Sequence, residues 1–174
     1  MLFRAPIDVE DSDPTFNQIS INMRTANEVA KMSMKAGNRP FGAILVAPNN
    51  STILMSQSSV DTVSHADITL LHNATKKYSP GFLWHCTLYS TVEPCVMCAG
   101  AIYLANIGRL VYGLSERQLR SITGDHPDIP SLDISCRSIF KRGQKPIRIW
   151  GPINEMEESL AQLHKLHWKK ECSA

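Results

Sequence analysis

The sequence predicts a three-layer α/β domain, and three observations carry that expectation. The chain has 174 residues, enough for one compact core and too few for two. Helix-period and strand-like stretches follow one another in the order αββαβαβαβα. The last three strands are separated by helices, which favours parallel crossover connections and a sheet covered on both faces. The composition, 43% hydrophobic and 20% charged, is that of a folded chain rather than a disordered one.

The elements read in order as follows. Residues 1–14 form an acidic opening expected to be a loose arm, and 15–174 a single domain. Asp13-Pro14 starts the first helix, with Asp as N-cap and Pro at the first helical position. Phe16, Ile19, Met23, Ala26, Ala30 and Met34 recur at helical spacing until Gly37. Phe41 to Ala47 and Thr52 to Ser56 form a hairpin around Pro48-Asn49-Asn50. His65 to Tyr78 is a helix with Ile68, Leu71 and Thr75 on one side, ended by Ser79-Pro80-Gly81. Cys86 to Thr91 is the third strand, Pro94 to Asn106 a core helix and Leu110 to Gly113 the fourth strand. Ser115 caps a helix running through Arg120. An irregular loop over Thr123 to Ser131 leads to a short helix at Cys136 to Lys141. Ile147 to Trp150 is the last strand, and Asn154 to Lys170 the closing helix.

Eighteen Lys and Arg against sixteen Asp and Glu leave a net charge of +2, too little for a surface that coats nucleic acid. No apolar stretch approaches the ~20 residues that span a bilayer, and Met1 to Pro6 does not read as a signal peptide. The five cysteines are then expected to be reduced thiols of a cytoplasmic protein, available to a metal.

Two short pieces carry chemistry: Ser64-His65-Ala66-Asp67 and Glu93-Pro94-Cys95-Val96-Met97-Cys98, each at a helix start. Cys95 and Cys98 are three apart, so both sulfurs face one side of a first helical turn. Unpaired N–H groups there favour the thiolate, which is the form that Zn²⁺ binds. Two thiolates with the His65 imidazole make three ligands and leave a fourth position for water, the arrangement of a catalytic zinc site. Such a metal supplies hydroxide at neutral pH, and Asp67, two residues past His65, can carry the proton. Metal-assisted hydrolysis at an electrophilic carbon follows, with amine loss as ammonia one natural outcome. The spacing of the cysteines alone also fits a redox dithiol, or a closed structural zinc with His85, Cys86 or Cys136 as fourth ligand. His72 is read as a packed residue.

His65-Ala66-Asp67 followed by Glu93 to Tyr103 resembles the cytidine deaminase superfamily of zinc-dependent nucleobase deaminases, whose signature is H-x-E with P-C-x-x-C. Pro40-Phe41-Gly42-Ala43 and Ile107 to Gly113 extend the likeness to the branch of guanine, fungal cytosine and tRNA adenosine deaminases. The resemblance spans Thr15 to Trp168. It implies a five-stranded mixed sheet between helices, one zinc per chain on His65, Cys95 and Cys98, and Asp67 as proton shuttle. The reaction implied is removal of an exocyclic amine from a small purine, pyrimidine, nucleoside or related heterocycle by zinc-bound hydroxide. A homodimer is implied too, with Ala99, Gly100, Ala101 and Ala105 permitting close packing.

The chain departs from the pattern in two places. Asp67 stands where the family has Glu, and one methylene shortens its reach by roughly 1.5 Å. Where guanine deaminases usually carry an Asn and a Trp, this chain has Ser56-Gln57 and Leu104, which points away from guanine. Phe41, Gln57, Glu116 and Trp168 are the expected substrate contacts: Phe41 stacking on a ring, Gln57 and Glu116 pairing with a base edge, Trp168 closing over the site. The competing functions are a tRNA-editing adenosine deaminase and a zinc-bound pseudoenzyme or binding module. The basic clusters at Lys141, Arg142 and Lys145, and at Lys165, Lys169 and Lys170, are small, so a nucleic-acid partner is not expected.

Overall fold

The computed structural model describes residues 12–124 and 132–171. Most of the expected arm, the loop over 125–131 and Cys172 therefore lie outside the described residues. Five strands form one sheet in the order β2-β1-β3-β4-β5. β1 (Gly42–Val46) is antiparallel to both β2 (Ile53–Ser58) and β3 (Thr87–Val92). β4 (Arg109–Leu114) and β5 (Arg148–Trp150) continue in parallel, as the helical separation of these strands required.

The central strands are buried on both faces, so alternate residues feed two cores. Ala43, Leu45, Leu88, Leu110 and Tyr112 face α2 (Ala66–Lys77), α4 (Val96–Leu104) and α6 (Cys136–Phe140). Ile44, Val46, Tyr89, Val111 and Leu114 face α1 (Phe16–Lys35), Leu119 of α5 (Glu116–Thr123) and α7 (Glu157–Glu171). A short 3₁₀ turn, Asn154–Met156, precedes α7. The result is the expected three-layer sandwich.

Three local readings change. The first helix starts at Phe16, with Thr15 as N-cap rather than Asp13. Thr15 and Gln18 form a reciprocal capping box, which satisfies two helix-end donors at once. Asp13 instead pairs with Arg148 at 2.6 Å. The helix after His65 buries Ala66, Leu70, Leu71 and Ala74, so its apolar stripe is turned from the expected Ile68 and Thr75 face, and His72 is exposed. Ser79-Pro80 does more than end that helix. Ser79 accepts from the Phe82 N–H at 3.3 Å and caps a further helix, α3 (Pro80–Trp84). The pair works as cap and first helical position together.

Candidate active site and metal centre

Both chemical pieces sit at helix N-termini on one face of the sheet. His65 is the N-cap of α2 and Cys95 the N-cap of α4, and neither side chain is spent on capping its own helix. β3 delivers Glu93 and Pro94 at its carboxyl end, so α4 starts where ligand sites of α/β sheets lie.

His65 Nδ1 stands 3.7 Å from Cys95 Sγ and 3.5 Å from Cys98 Sγ. Tetrahedral zinc with ordinary bond lengths would set each nitrogen–sulfur pair about 3.6 Å apart. The three donors therefore fit the ion in spacing and in kind. Among the described residues no fourth His, Cys, Asp or Glu joins them. A closed four-residue structural centre is thereby disfavoured, because Cys86 and Cys136 lie in the apolar core. Burial pushes the Cys86 thiol up to about 12, and burial likewise raises Cys136. Within the pair, the hydrogen bond from Cys98 holds Cys95 well below the ordinary thiol range, while the same bond pushes Cys98 up. Hydrogen bonding to Cys95 also raises His65. Zinc binds the thiolate and neutral imidazole forms, so loading this cluster with the metal would release protons.

The cluster opens on a cavity of about 300 Å³. Phe41, Val92, Met97 and Leu119 give it apolar walls, and Asp67, Glu116, Ser90 and Arg39 contribute polar groups. Asp67 is buried, and its Oδ1 has no hydrogen-bond partner. Burial raises its carboxyl to about 6, against the opposing pull of the Ser90 hydroxyl. Glu116 also faces the cavity. Burial, then the nearby Cys95 and Glu93, push it to about 7.

The structure thus brings together six of the eight expected residues: His65, Asp67, Cys95, Cys98, Phe41 and Glu116. Gln57 is elsewhere. It lies on the edge strand in a groove beside Met32 and Ser33 of α1, with its amide donating to the Ser58 carbonyl at 2.9 Å. Edge-strand alternation turned it to the α1 side. Trp168 does not line the cavity either; it is buried, and its Nε1–H donates to His164 Nδ1 at 3.4 Å. His164 in turn meets the Phe41 ring at 5.1 Å between centroids, so α7 backs the cavity wall instead of covering the mouth.

Two working residues escaped the sequence reading. Glu93 accepts from the Glu116 N–H (3.1 Å), the Ser135 hydroxyl (2.7 Å) and the Cys136 N–H (2.9 Å), tying the starts of α5 and α6 to the cavity floor. A carboxylate suits two helix N-termini, but a reach across 23 and 43 residues leaves no local signal. His164 was hidden as one more residue of a closing helix. Burial drives its imidazole down to about 3, so it is neutral in the folded chain and protonated near pH 6.5 when unfolded. The unfolded state then binds the extra proton between those values, and stability falls as pH falls from about 6.5 towards 3. His164→Phe is expected to remove roughly 1.5 kcal/mol of the loss between pH 6.5 and 5, measured by urea unfolding at both pH values.

Comparison with known proteins agrees with this geometry. Residues 17–114 match the family model described as the cytidine and deoxycytidylate deaminase zinc-binding region. A probable cytosine deaminase of Schizosaccharomyces pombe is 34% identical over 149 residues, covering 84% of this chain and 90% of that protein. A tRNA-specific adenosine deaminase of Buchnera aphidicola is 40% identical over 119 residues, covering 64% and 67%. The fold is also that of a guanine deaminase from Nitrosomonas europaea, with a TM-score of 0.68 over 96% of this chain and 98% of that one at 17% identity. The chain belongs to the zinc-binding cytidine and deoxycytidylate deaminase family.

Proposed function

We propose that the protein is a hydrolytic deaminase that removes an exocyclic amine, as ammonia, from a small purine, pyrimidine, nucleoside or related heterocycle. The observation that carries this reading is the buried Asp67 Oδ1, unpartnered beside the His65, Cys95 and Cys98 donors in one cavity. Zinc on those three residues would supply a Lewis acid that makes hydroxide available at neutral pH. The net reaction forms a C–O bond from water, breaks the C–N bond and releases ammonia. Asp67 takes the proton of the attacking water and returns it to the leaving nitrogen. Phe41 and the apolar walls hold the flat ring and exclude bulk water. The Glu116 carboxyl accepts from a ring N–H or amine of the substrate.

An ammonia-release screen over amino-purines, amino-pyrimidines, their nucleosides, amino-triazines and pterins tests the reading, with zinc measured on the same sample. The expected result is one zinc per chain, ammonia from at least one compound, and loss of turnover on chelation. Stoichiometric zinc without ammonia from any compound would favour a binding module. The likeness to the Buchnera protein supports a second reading, editing of adenosine in tRNA. A gel shift with total tRNA, read against salt, separates the two.

A homodimer is part of the same proposal. Ala99 and Ala105, expected at a close contact, are buried in the chain's own core and Ala101 packs against it, which leaves Met97 and Leu104 as the outward apolar residues of α4, with Leu104 81% exposed. Leu104→Glu is expected to shift the protein from dimer to monomer in analytical ultracentrifugation; a wild-type monomer removes the assembly.

A further inference from the structure

The cavity wall that Phe41 forms has a polar backing. His164 of α7 does not line the cavity and is 1% exposed, yet its ring meets the Phe41 ring with the two planes tilted by 59°. Trp168, one helical turn further along α7, is buried as well, and its indole N–H bonds back to His164. Apolar bulk alone would fill such a place. Leucine or phenylalanine would do so without burying a polar ring.

The hydrogen bond does what packing cannot. An indole N–H only donates, so His164 Nδ1 accepts and the imidazole proton sits on Nε2. A directional bond holds the imidazole in one orientation, whereas apolar contacts alone leave a side chain several rotamers. Phe41 takes its orientation from that ring, because aromatic pairs prefer particular angles as well as distances. Its backbone is fixed too: the Phe41 N–H donates to the Arg39 carbonyl at 2.9 Å, and its carbonyl accepts from the Ser59 N–H at 3.3 Å. Leu160 and Ala161 of the same helix pack in the core that holds Leu119, another wall of the cavity. Among the described residues none of α7 reaches the cavity, yet α7 backs two of its walls.

We propose that His164, oriented by Trp168, is a positioning residue that sets the angle of the Phe41 ring, and with it how tightly the cavity grips the flat ring of the substrate. The inference rests on the deaminase reading for what the cavity holds. It adds a determinant of affinity that the substrate never touches.

Nitrogen NMR of the histidine rings tests the geometry. His164 is expected as the Nε2–H tautomer, with its Nδ1 signal shifting when Trp168→Phe removes the donor. Calorimetry on the zinc-loaded protein with cytosine, adenine and guanine tests the consequence. At least one base is expected to bind. His164→Phe, which keeps an aromatic ring but no acceptor, and Trp168→Phe should each weaken that binding about fivefold, the size of one net hydrogen bond or one aromatic pair, with zinc content unchanged. The two substitutions together should weaken it no further, and in a Phe41→Leu background His164→Phe should have no effect. A merely structural role lowers Tm in both variants and leaves base affinity at the wild-type value below the melting range; that result overturns the inference. So does an effect that persists in the Phe41→Leu background, a His164 proton on Nδ1, or a protein that binds none of the three bases. Ammonia release is read separately. With a base that is turned over, KM rises in both variants while kcat stays within about twofold. A base gripped in this way without ammonia release keeps the positioning role and refutes the deaminase reading.

Discussion

Asp67→Asn is expected to lower ammonia release by about a thousandfold while zinc content stays at one per chain. The substitution preserves shape and removes only the group that exchanges protons, and general acid–base catalysis contributes about 10²–10⁴. Asp67 touches none of the expected metal bonds, so the ion should remain, and elemental analysis on the same sample checks this. Turnover within a few-fold of wild type would end the shuttle assignment. Asp67→Glu asks a different question. It restores the residue usual in the family but pushes the carboxyl roughly 1.5 Å further into the cavity that Asp67 lines. A displacement of about 1 Å costs on the order of a hundredfold. The expected result is therefore a variant slower than wild type by at least about tenfold, measured as kcat with the same substrate. A faster variant would mean that the substrate still sits where a Glu carboxyl would meet it.

The metal group was legible because it is local. Two cysteines three apart at a helix start, and a histidine at another, are constrained by the geometry of single turns. Their meeting required only that two helices begin at the same end of one sheet, which parallel strands arrange. The sandwich followed from the order of elements, since helices separate the last three strands and so favour parallel crossovers and a sheet covered on both faces. Substrate contacts were not local in this way. Gln57 missed the cavity because a strand residue points to one face or the other, and an edge strand with mixed burial does not announce which. Trp168 was right in its neighbourhood and wrong in its contact, with His164 interposed between it and Phe41. Glu93 belonged to the recognised motif, yet its partners on α5 and α6 are set by tertiary closure alone.

Arg109→Met should cause the largest loss of stability. Arg109 is fully buried at the start of β4, between β3 and β5. Its guanidinium donates to the Ser12 and His85 carbonyls and to Asn50 Oδ1. Asn50 holds a left-handed turn at φ 59° and itself donates to the Ser12 carbonyl at 2.9 Å, while Asn22 donates to the Asn50 carbonyl at 3.0 Å. One cation therefore fastens the chain before α1, the β1–β2 turn and the residue leading into β3. Methionine fills similar space but takes the guanidinium donor from the His85 carbonyl and Asn50 Oδ1, while the Ser12 carbonyl keeps only Asn50; each lost bond costs about 1–3 kcal/mol. The sum is about 3–5 kcal/mol, or a Tm lower by about 10 °C for a chain of this size. Lysine keeps the charge but lacks the planar fork that reaches separate carbonyls, so Arg109→Lys should fall between the two. The effect should also be confined to stability. Arg109 pairs with Thr87 where β3 begins, whereas Cys95 follows the other end of that strand. Below the melting range, substrate KM and zinc content should stay at wild-type values. A variant that keeps its Tm but loses zinc would place Arg109 in the site's support instead.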